Sequence, residues 1–379
     1  MSEENLETFQ TFQELTIPRP LSRALDRMGF IEPTPVQAAT IPAGLKGRDI
    51  LGIAQTGTGK TAAFGIPMLT RLHEDRYPIG LILAPTRELA AQIHKVLEQM
   101  ASEGLKIHGA LVVGGESFKK QSQNYARGID YIVATPGRLI DHLQQKTFDL
   151  KRCEILVLDE VDRILDMGFA PQIEQIMRHV PKQRQTMLFS ATLPPEIENL
   201  ASRFLKNPLE VSIGGIPKPA EKIIETTIET THAGKQSLLF EHLRKREGKI
   251  LVFVKTQDRA ESLYRLLNRE GFRSVRLHGG CTQSERKQAL EEFRRGKSRI
   301  MVATDLAGRG IDIVDIEHVI NFDLPHSRED YIHRIGRTGR AGKSGHALNF
   351  LTPADVDGYY AISDKKAPSR KLFRSPRKR

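Results

Sequence analysis

The chain has 379 residues, enough for two ordinary domains, and its 39% hydrophobic and 27% charged residues form a globular profile rather than a fibrous or low-complexity one. No apolar run approaches the ~18 residues of a membrane span; the first ten residues are acidic and polar, unlike a signal peptide; and with 6% aromatics and no Trp, an aromatic stacking platform is a poor basis for function. The net charge of +11 favours an anionic partner, nucleic acid first, although eight of the basic residues (Lys365, Lys366, Arg370, Lys371, Arg374, Arg377, Lys378, Arg379) crowd into 365–379 and leave the body only mildly basic.

In chain order, residues 48–54, 79–84, 131–134, 153–158 and 186–189 read as short apolar strands. Each is followed by a Gly- or Pro-marked turn and a helical pattern, the rhythm of a parallel sheet covered by helices on both faces. The rhythm breaks at 213–221, where two Gly and two Pro without periodicity predict a linker. It restarts with strands at 250–254, 274–277, 300–303, 318–322 and 347–351. The expected organisation is an α/β domain over 1–212, the linker, a second α/β domain over 222–364, and a basic tail over 365–379, too poor in apolar residues to fold and expected to be disordered. No direct sequence repeat relates the halves. Cys153 and Cys281 stand alone, with no zinc spacing, and read as buried small apolar residues of a protein in a reducing cytoplasm.

The first predicted strand runs into AlaGlnThrGlyThrGlyLysThr at 54–61, and a helix follows. This is the setting of a phosphate-binding loop. Gly57 and Gly59 allow backbone amides, with those of Thr56 and Thr58, to turn toward a phosphate at the helix N-terminus. Lys60 reaches the β- and γ-phosphates, and the Thr61 hydroxyl holds Mg²⁺. The strand over 153–158 ends in AspGluValAsp at 159–162. A carboxylate at the C-terminal end of a parallel strand faces the ligand crevice. Asp159 is therefore the candidate for the Mg²⁺ shell and Glu160 the candidate base that activates a water.

With these in place, the chain resembles the DEAD-box ATP-dependent RNA helicases over about residues 12–350. GlyPheIleGluProThrProValGln (29–37) is similar to the family's adenine-sensing motif, with Phe12 upstream at the spacing of its aromatic partner. ProThrArgGluLeuAla (85–90), Gly114-Gly115, ThrProGlyArg (135–138) and SerAlaThr (190–192) follow in family order. In the second half come LeuValPheValLys (251–255), Gln283 with Arg286, AlaThrAspLeuAlaGlyArgGlyIleAsp (303–312) and HisArgIleGlyArgThrGlyArg (333–340). One departure is Val161, where the family usually carries Ala in its naming tetrad.

The resemblance implies two tandem RecA-like domains that close on ATP, Mg²⁺ and single-stranded RNA, hydrolyse ATP when RNA is bound, and separate short duplexes locally. It implies that Gln37 and Phe12 contact adenine and that Asp305 contacts the ribose. Pro85, Thr86, Arg87, Gly115, Thr135, Gly137, Arg138, Gln283, Arg286 and Thr304 are implied RNA contacts. Ser190, Thr192 and His333 would couple hydrolysis to strand separation, and Arg337 and Arg340 would be fingers on the γ-phosphate. Three residues apart, the two arginines would share one face if they lie on a helix. Hydroxyls, amides and arginines at strand ends contact phosphate and sugar, so RNA binding is expected to be largely sequence-independent. The competing readings are a DNA translocase on the same core and a non-catalytic RNA clamp. The ProThrArgGluLeuAla and Gln37 combination argues against the first; intact Lys60, Glu160, Arg337 and Arg340 argue against the second.

Overall fold

The computed structural model describes residues 9–55, 57–74, 79–126, 128–213, 223–305, 315–339 and 344–363. The tail 365–379, most of the predicted linker, Thr56 and Arg340 fall outside those residues. The chain divides into two compact units, Met1–Ile216 and Pro217–Arg379.

The first unit is built on seven parallel strands: β1 (Ile50–Ala54), β2 (Ile79–Leu83), β3 (Gly109–Val112), β4 (Tyr131–Ala134), β5 (Cys153–Leu158), β6 (Gln185–Ser190) and β7 (Leu209–Ile213), in the order β3-β4-β2-β5-β6-β1-β7. The second is built on six: β8 (Ile223–Glu229), β9 (Lys249–Phe253), β10 (Ser274–Leu277), β11 (Ile300–Ala303), β12 (Ile316–Asn321) and β13 (Gly345–Leu351), in the order β10-β11-β9-β12-β13-β8, again all parallel. If β8 is matched to β1 and each later strand to its successor, the second sheet repeats the order of the first, with β7 as the extra edge. The repeat that the sequence does not show is thus present in the topology. Ile213, predicted to open the linker, instead closes β7, where it pairs with Ala54.

Alternate side chains along each strand enter different cores. On β5, Ile155 and Val157 pack with Phe64 and Phe189, whereas Leu156 and Leu158 pack with Leu139 and Ile164. On β9, Ile250 and Val252 join Leu239 and Leu263, whereas Leu251 and Phe253 join Phe293 and Met301. Helices therefore cover both faces, which is why these strands are apolar throughout rather than alternating. The parallel arrangement also puts every strand's C-terminal end at one edge of its sheet, and the loops after those ends carry nearly all the motifs.

Half-buried on β12, His318 is pushed down to about 4 by burial and by the Arg246 and His346 charges beside it. The folded protein therefore binds this proton less readily than the unfolded chain, whose His titrates near pH 6.5. Its contribution to stability is present above about pH 6.5 and is lost as pH falls toward 4. Between pH 7 and 4.5, His318→Gln is expected to flatten the loss of stability of the second unit, measured by denaturant unfolding. A variant with the same pH dependence as the wild type would contradict this assignment.

Candidate active site

The loop after β1 turns sharply onto the helix Lys60–Glu74, and Gly57 and Gly59 take left-handed φ values of 86° and 94°. At Gly59 a side chain is excluded twice over, since a Cβ there would stand 2.3 Å from Gln37 Nε2. Thr58 Oγ1 donates to Gln55 O at 2.7 Å and ties the loop to itself. Lys60 is the first residue of the helix and is buried; its Nζ donates to Ala54 O at 3.0 Å and lies 3.9 Å from Asp159 Oδ1. Thr61 follows in the first turn.

Strands β5, β6 and β1 are adjacent, so Asp159, Ser190 and the phosphate loop converge. Burial pushes the Asp159 carboxyl up to about 6; the Lys60 ammonium opposes the shift and the Glu160 carboxylate adds to it. Glu160 is buried with its backbone in the left-handed region at φ 50°, a conformation a non-glycine residue adopts at a cost of order 1–3 kcal/mol and one that clusters at functional sites. Its carboxylate lies 3.6 Å from Arg163. Asp162 extends the cluster toward β6. Its Oδ2 accepts from Ala191 N at 3.0 Å, Ser190 Oγ accepts from Asp162 N at 3.3 Å, and Thr192 Oγ1 lies 3.5 Å from Asp162 Oδ2. Asp162, the last residue of the tetrad, and the SerAlaThr segment are thus one hydrogen-bonded unit. Val161 points away from it, fully buried in the core with Leu188 and Ile197.

Gln37 is buried beside the loop. Its Oε1 accepts from Thr34 N at 2.9 Å, closing a capping box on the helix Pro35–Leu45, and its Nε2 donates to Gly59 O at 3.1 Å. Phe12 is buried edge-on between Phe9 and Phe30, at 5.4 and 5.3 Å between ring centres. A second constellation follows β2, β3 and β4, which are neighbours. Pro85 leads to Thr86, which caps the helix Arg87–Ala101 by accepting from Leu89 N. The Arg87 guanidinium lies against Gly114, where a Cβ would meet it at 2.8 Å. Gly115 has a φ of 81°. Thr135 is buried, donates its N–H to Val112 O at 3.1 Å, and starts the helix Pro136–Gln144, which carries Gly137 and Arg138 in its first turn.

The second unit repeats the arrangement. Thr256 after β9 caps the helix Gln257–Arg269 by accepting from Arg259 N, as Thr86 does after β2. After β10, Gln283 opens the helix Gln283–Arg294, and Arg286 donates to His278 O at 3.4 Å. Thr304, after β11, donates its N–H to Leu277 O. Asp305 is held by both arms of Arg334, Nε to Oδ1 at 2.5 Å and Nη2 to Oδ2 at 2.7 Å. Arg334 also donates to Asn321 Oδ1 and Asp323 O, and lies over the Phe253 ring. This buried arginine sits inside a recognised motif, but residue spacing gives no signal of its partner, 29 residues away along the chain.

One sequence expectation changes here. His333 lies on the helix Arg328–Ile335, but that helix ends at Gly336. Arg337 therefore stands in the following turn, buried, its Nε donating to His333 O at 3.1 Å. Arg337 thus does not lie on a helix, so the condition for it to share a helical face with Arg340 is not met; Arg340 itself lies outside the described residues.

Residues 34–200 match the family DEAD/DEAH box helicase, and residues 234–342 match the Helicase conserved C-terminal domain. The chain is 41% identical over 366 residues to the DEAD-box ATP-dependent RNA helicase CshA of Bacillus licheniformis, covering 96% of this chain and 74% of that relative. The chain belongs to the DEAD-box ATP-dependent RNA helicases. Its likeness to DEAD-box ATP-dependent RNA helicase 30 of Arabidopsis thaliana is 45% over 352 residues, 90% of this chain but only 59% of that longer relative. The structure of Dbp5 of S. cerevisiae bound to RNA and ADP BeF3 superposes with a TM-score of 0.85 at 32% identity, covering 94% of this chain and 95% of the other. The helicase thus has two tandem RecA-like units. Among its described residues no helix is long and apolar enough to cross a membrane.

The DEAD-box tetrad and Thr61 present only oxygen donors, and no group of three or more His, Cys, Asp or Glu among the described residues forms a closed metal cage. That set fits Mg²⁺, which keeps several waters and is held by one or two carboxylates together with substrate phosphates.

Proposed function

We propose that the first unit binds ATP through residues 56–61 and hydrolyses it with Glu160 as the base that takes a proton from the attacking water. Lys60 holds the β- and γ-phosphates, and Thr61 and Asp159 would hold Mg²⁺, which when bound offsets negative charge on the phosphates. Gln37 and Phe12 serve the adenine end, Asp305 serves the ribose, and Arg337 and Arg340 of the second unit complete the γ-phosphate contacts. Pro85, Thr86, Arg87, Gly115, Thr135, Gly137 and Arg138 contact the backbone of single-stranded RNA, and Gln283, Arg286 and Thr304 do so from the second unit. Ser190, Thr192 and His333 carry the coupling. The domain limits are 1–212 and 222–364, with a basic tail from 365. The two buried free thiols, Cys153 and Cys281, suit a reducing compartment such as the cytoplasm.

The observation that carries this reading is the set of hydrogen bonds that joins Asp162, two residues after Glu160, to Ser190–Thr192. Bonds of this kind support a link between the carboxylates proposed for hydrolysis and the segment proposed to respond to RNA. Binding of ATP together with RNA then shifts the units toward a state that holds one strand bent, which a duplex cannot accommodate. Hydrolysis and phosphate release return them. The experiment is phosphate release with and without single-stranded RNA and single-stranded DNA, together with strand separation of a ten-base-pair RNA duplex. Stimulation by RNA well above that by DNA, with ATP-dependent separation, is the expected result. Equal stimulation by both strands would favour a DNA translocase, and RNA binding without turnover would favour a passive clamp.

A further inference from the structure

Arg138 is not a loose surface arginine. Its Nε donates to Gln121 Oε1 at 3.0 Å, its Nη2 donates to Glu116 O at 2.5 Å, and its guanidinium lies 5.0 Å from the centre of the Phe118 ring. Its nearest anionic neighbour is Asp141, on the same helix, 3.9 Å from Nη1 and half exposed. The fastening therefore takes Nε and one side of Nη2, and leaves at Nη1 a long ion pair with the half-exposed Asp141 that an incoming anion can displace.

Gln121 is itself buried and held. Its Nε2 donates to Val113 O at 2.9 Å, beside Gly114 and Gly115, and its Oε1 accepts a second hydrogen bond from His142 Nε2 at 3.0 Å. That bond requires the proton on Nε2, so Nδ1, 2.8 Å from Thr147 Oγ1, is the acceptor of a neutral ring. Burial, with the Arg138 charge, pushes His142 down to about 4 and keeps it in that form at neutral pH. The imidazole is sandwiched between Phe118, at 3.9 Å and 8°, and Phe148, at 4.2 Å and 22°. Tyr125 stacks on Phe148 in turn and is anchored through its hydroxyl to Asp149 O. In a column of four rings, three thus fix one imidazole, which orients one amide, which orients one guanidinium.

We infer that Gln121 and His142 are positioning residues for RNA: they act through Arg138 to aim its Nη1 edge at a backbone phosphate. The inference rests on the reading that Arg138 contacts RNA. Four rings and a buried amide are more than a surface loop needs for packing, and the column ends on the one side chain of the motif that carries charge. His142→Phe keeps an aromatic ring in the stack and deletes the hydrogen bond to Gln121 together with the Nδ1 contact to Thr147 Oγ1. Gln121→Leu keeps the bulk and deletes both acceptor contacts.

The test measures binding of single-stranded oligouridylate to the full chain with a non-hydrolysable ATP analogue, across salt, for the wild type, Arg138→Ala, His142→Phe, Gln121→Leu and the doubles with Arg138→Ala. Unfolding midpoints and RNA-free nucleotide affinity serve as fold controls. Arg138→Ala is expected to weaken binding several-fold and to reduce the salt slope by roughly 0.7, one single-strand phosphate contact. His142→Phe and Gln121→Leu should do much the same alone and add little once Arg138 is gone, with nucleotide affinity unchanged. Losses that persist in full without Arg138, or single variants that bind like the wild type, would overturn the inference while leaving the Arg138 contact standing. An Arg138→Ala variant with wild-type binding would remove that contact and, with it, the inference.

Discussion

Glu160→Gln is expected to abolish ATP turnover while leaving ATP and RNA bound. The substitution keeps the length and shape of the side chain and removes the basic oxygen, and general-base catalysis of this kind contributes roughly 10²–10⁴-fold. Glu160 is buried, is held in a left-handed backbone conformation, and neighbours both Asp159 and the Asp162–Ser190 contacts. Its carboxylate is thus presented by strain that the surrounding fold imposes, and an amide in the same place should be presented equally well. Stable retention of RNA by Glu160→Gln in the presence of ATP, read by dissociation after dilution, is the positive sign. Lys60→Ala should fail earlier. Its ammonium lies between Ala54 O and Asp159. Losing it removes the phosphate contact and leaves Asp159 buried without its nearest cation, so nucleotide affinity and turnover should fall together. Turnover near that of the wild type in either variant would defeat the assignment of this site.

Arg337→Ala is expected to lower RNA-stimulated turnover by roughly 10³–10⁵, the worth of an arginine finger, with a small effect on nucleotide affinity in the absence of RNA. Arg337 stands past the end of its helix, in a turn bounded by Gly336 and Gly339, where its Nε donates to His333 O. Arg337→Lys should rescue little, since a lysine lacks the planar fork. The comparison with Arg334→Ala separates the two arginines. Arg334 is buried and pairs with Asp305 in both arms, so its removal should lower stability and the KM contribution of the ribose rather than kcat alone. A turnover for Arg337→Ala within tenfold of the wild type would exclude a finger role.

The alternation of apolar strands with helical stretches was legible in the residues because both faces of each sheet are covered. Ile79–Leu83, Cys153–Leu158 and Ile300–Ala303 are apolar from end to end, or nearly so, and bounded by turn residues. Three strands were not legible. Gly109–Val112 is short and begins with a residue that disfavours strands. Leu209–Ile213 and Ile223–Glu229 lie at sheet edges, where half-exposed positions admit Glu, Ser and Thr and dilute the apolar signal. The last of these also hid the repeated strand order, since β8 is the partner of β1.

The Gly-rich loop before Lys60, the acid tetrad and the turns that begin at Pro85 and Thr135 were determined by the sequence itself. Each depends on residues close together in the chain, where the need for a backbone turn or a hydroxyl at a fixed offset leaves a pattern that can be read directly. What only the tertiary structure decided are the pairings between distant segments: Asp162 with Ser190 and Ala191, Gln37 with Gly59, Arg334 with Asp305, and His142 through Gln121 with Arg138. These depend on which strands lie side by side. In a parallel sheet, neighbours in space are set by crossover connections, so β5 meets β6 and β6 meets β1 across some 130 residues of intervening chain. Adjacency of that kind is a property of the closed sheet, and no local run of residues records it.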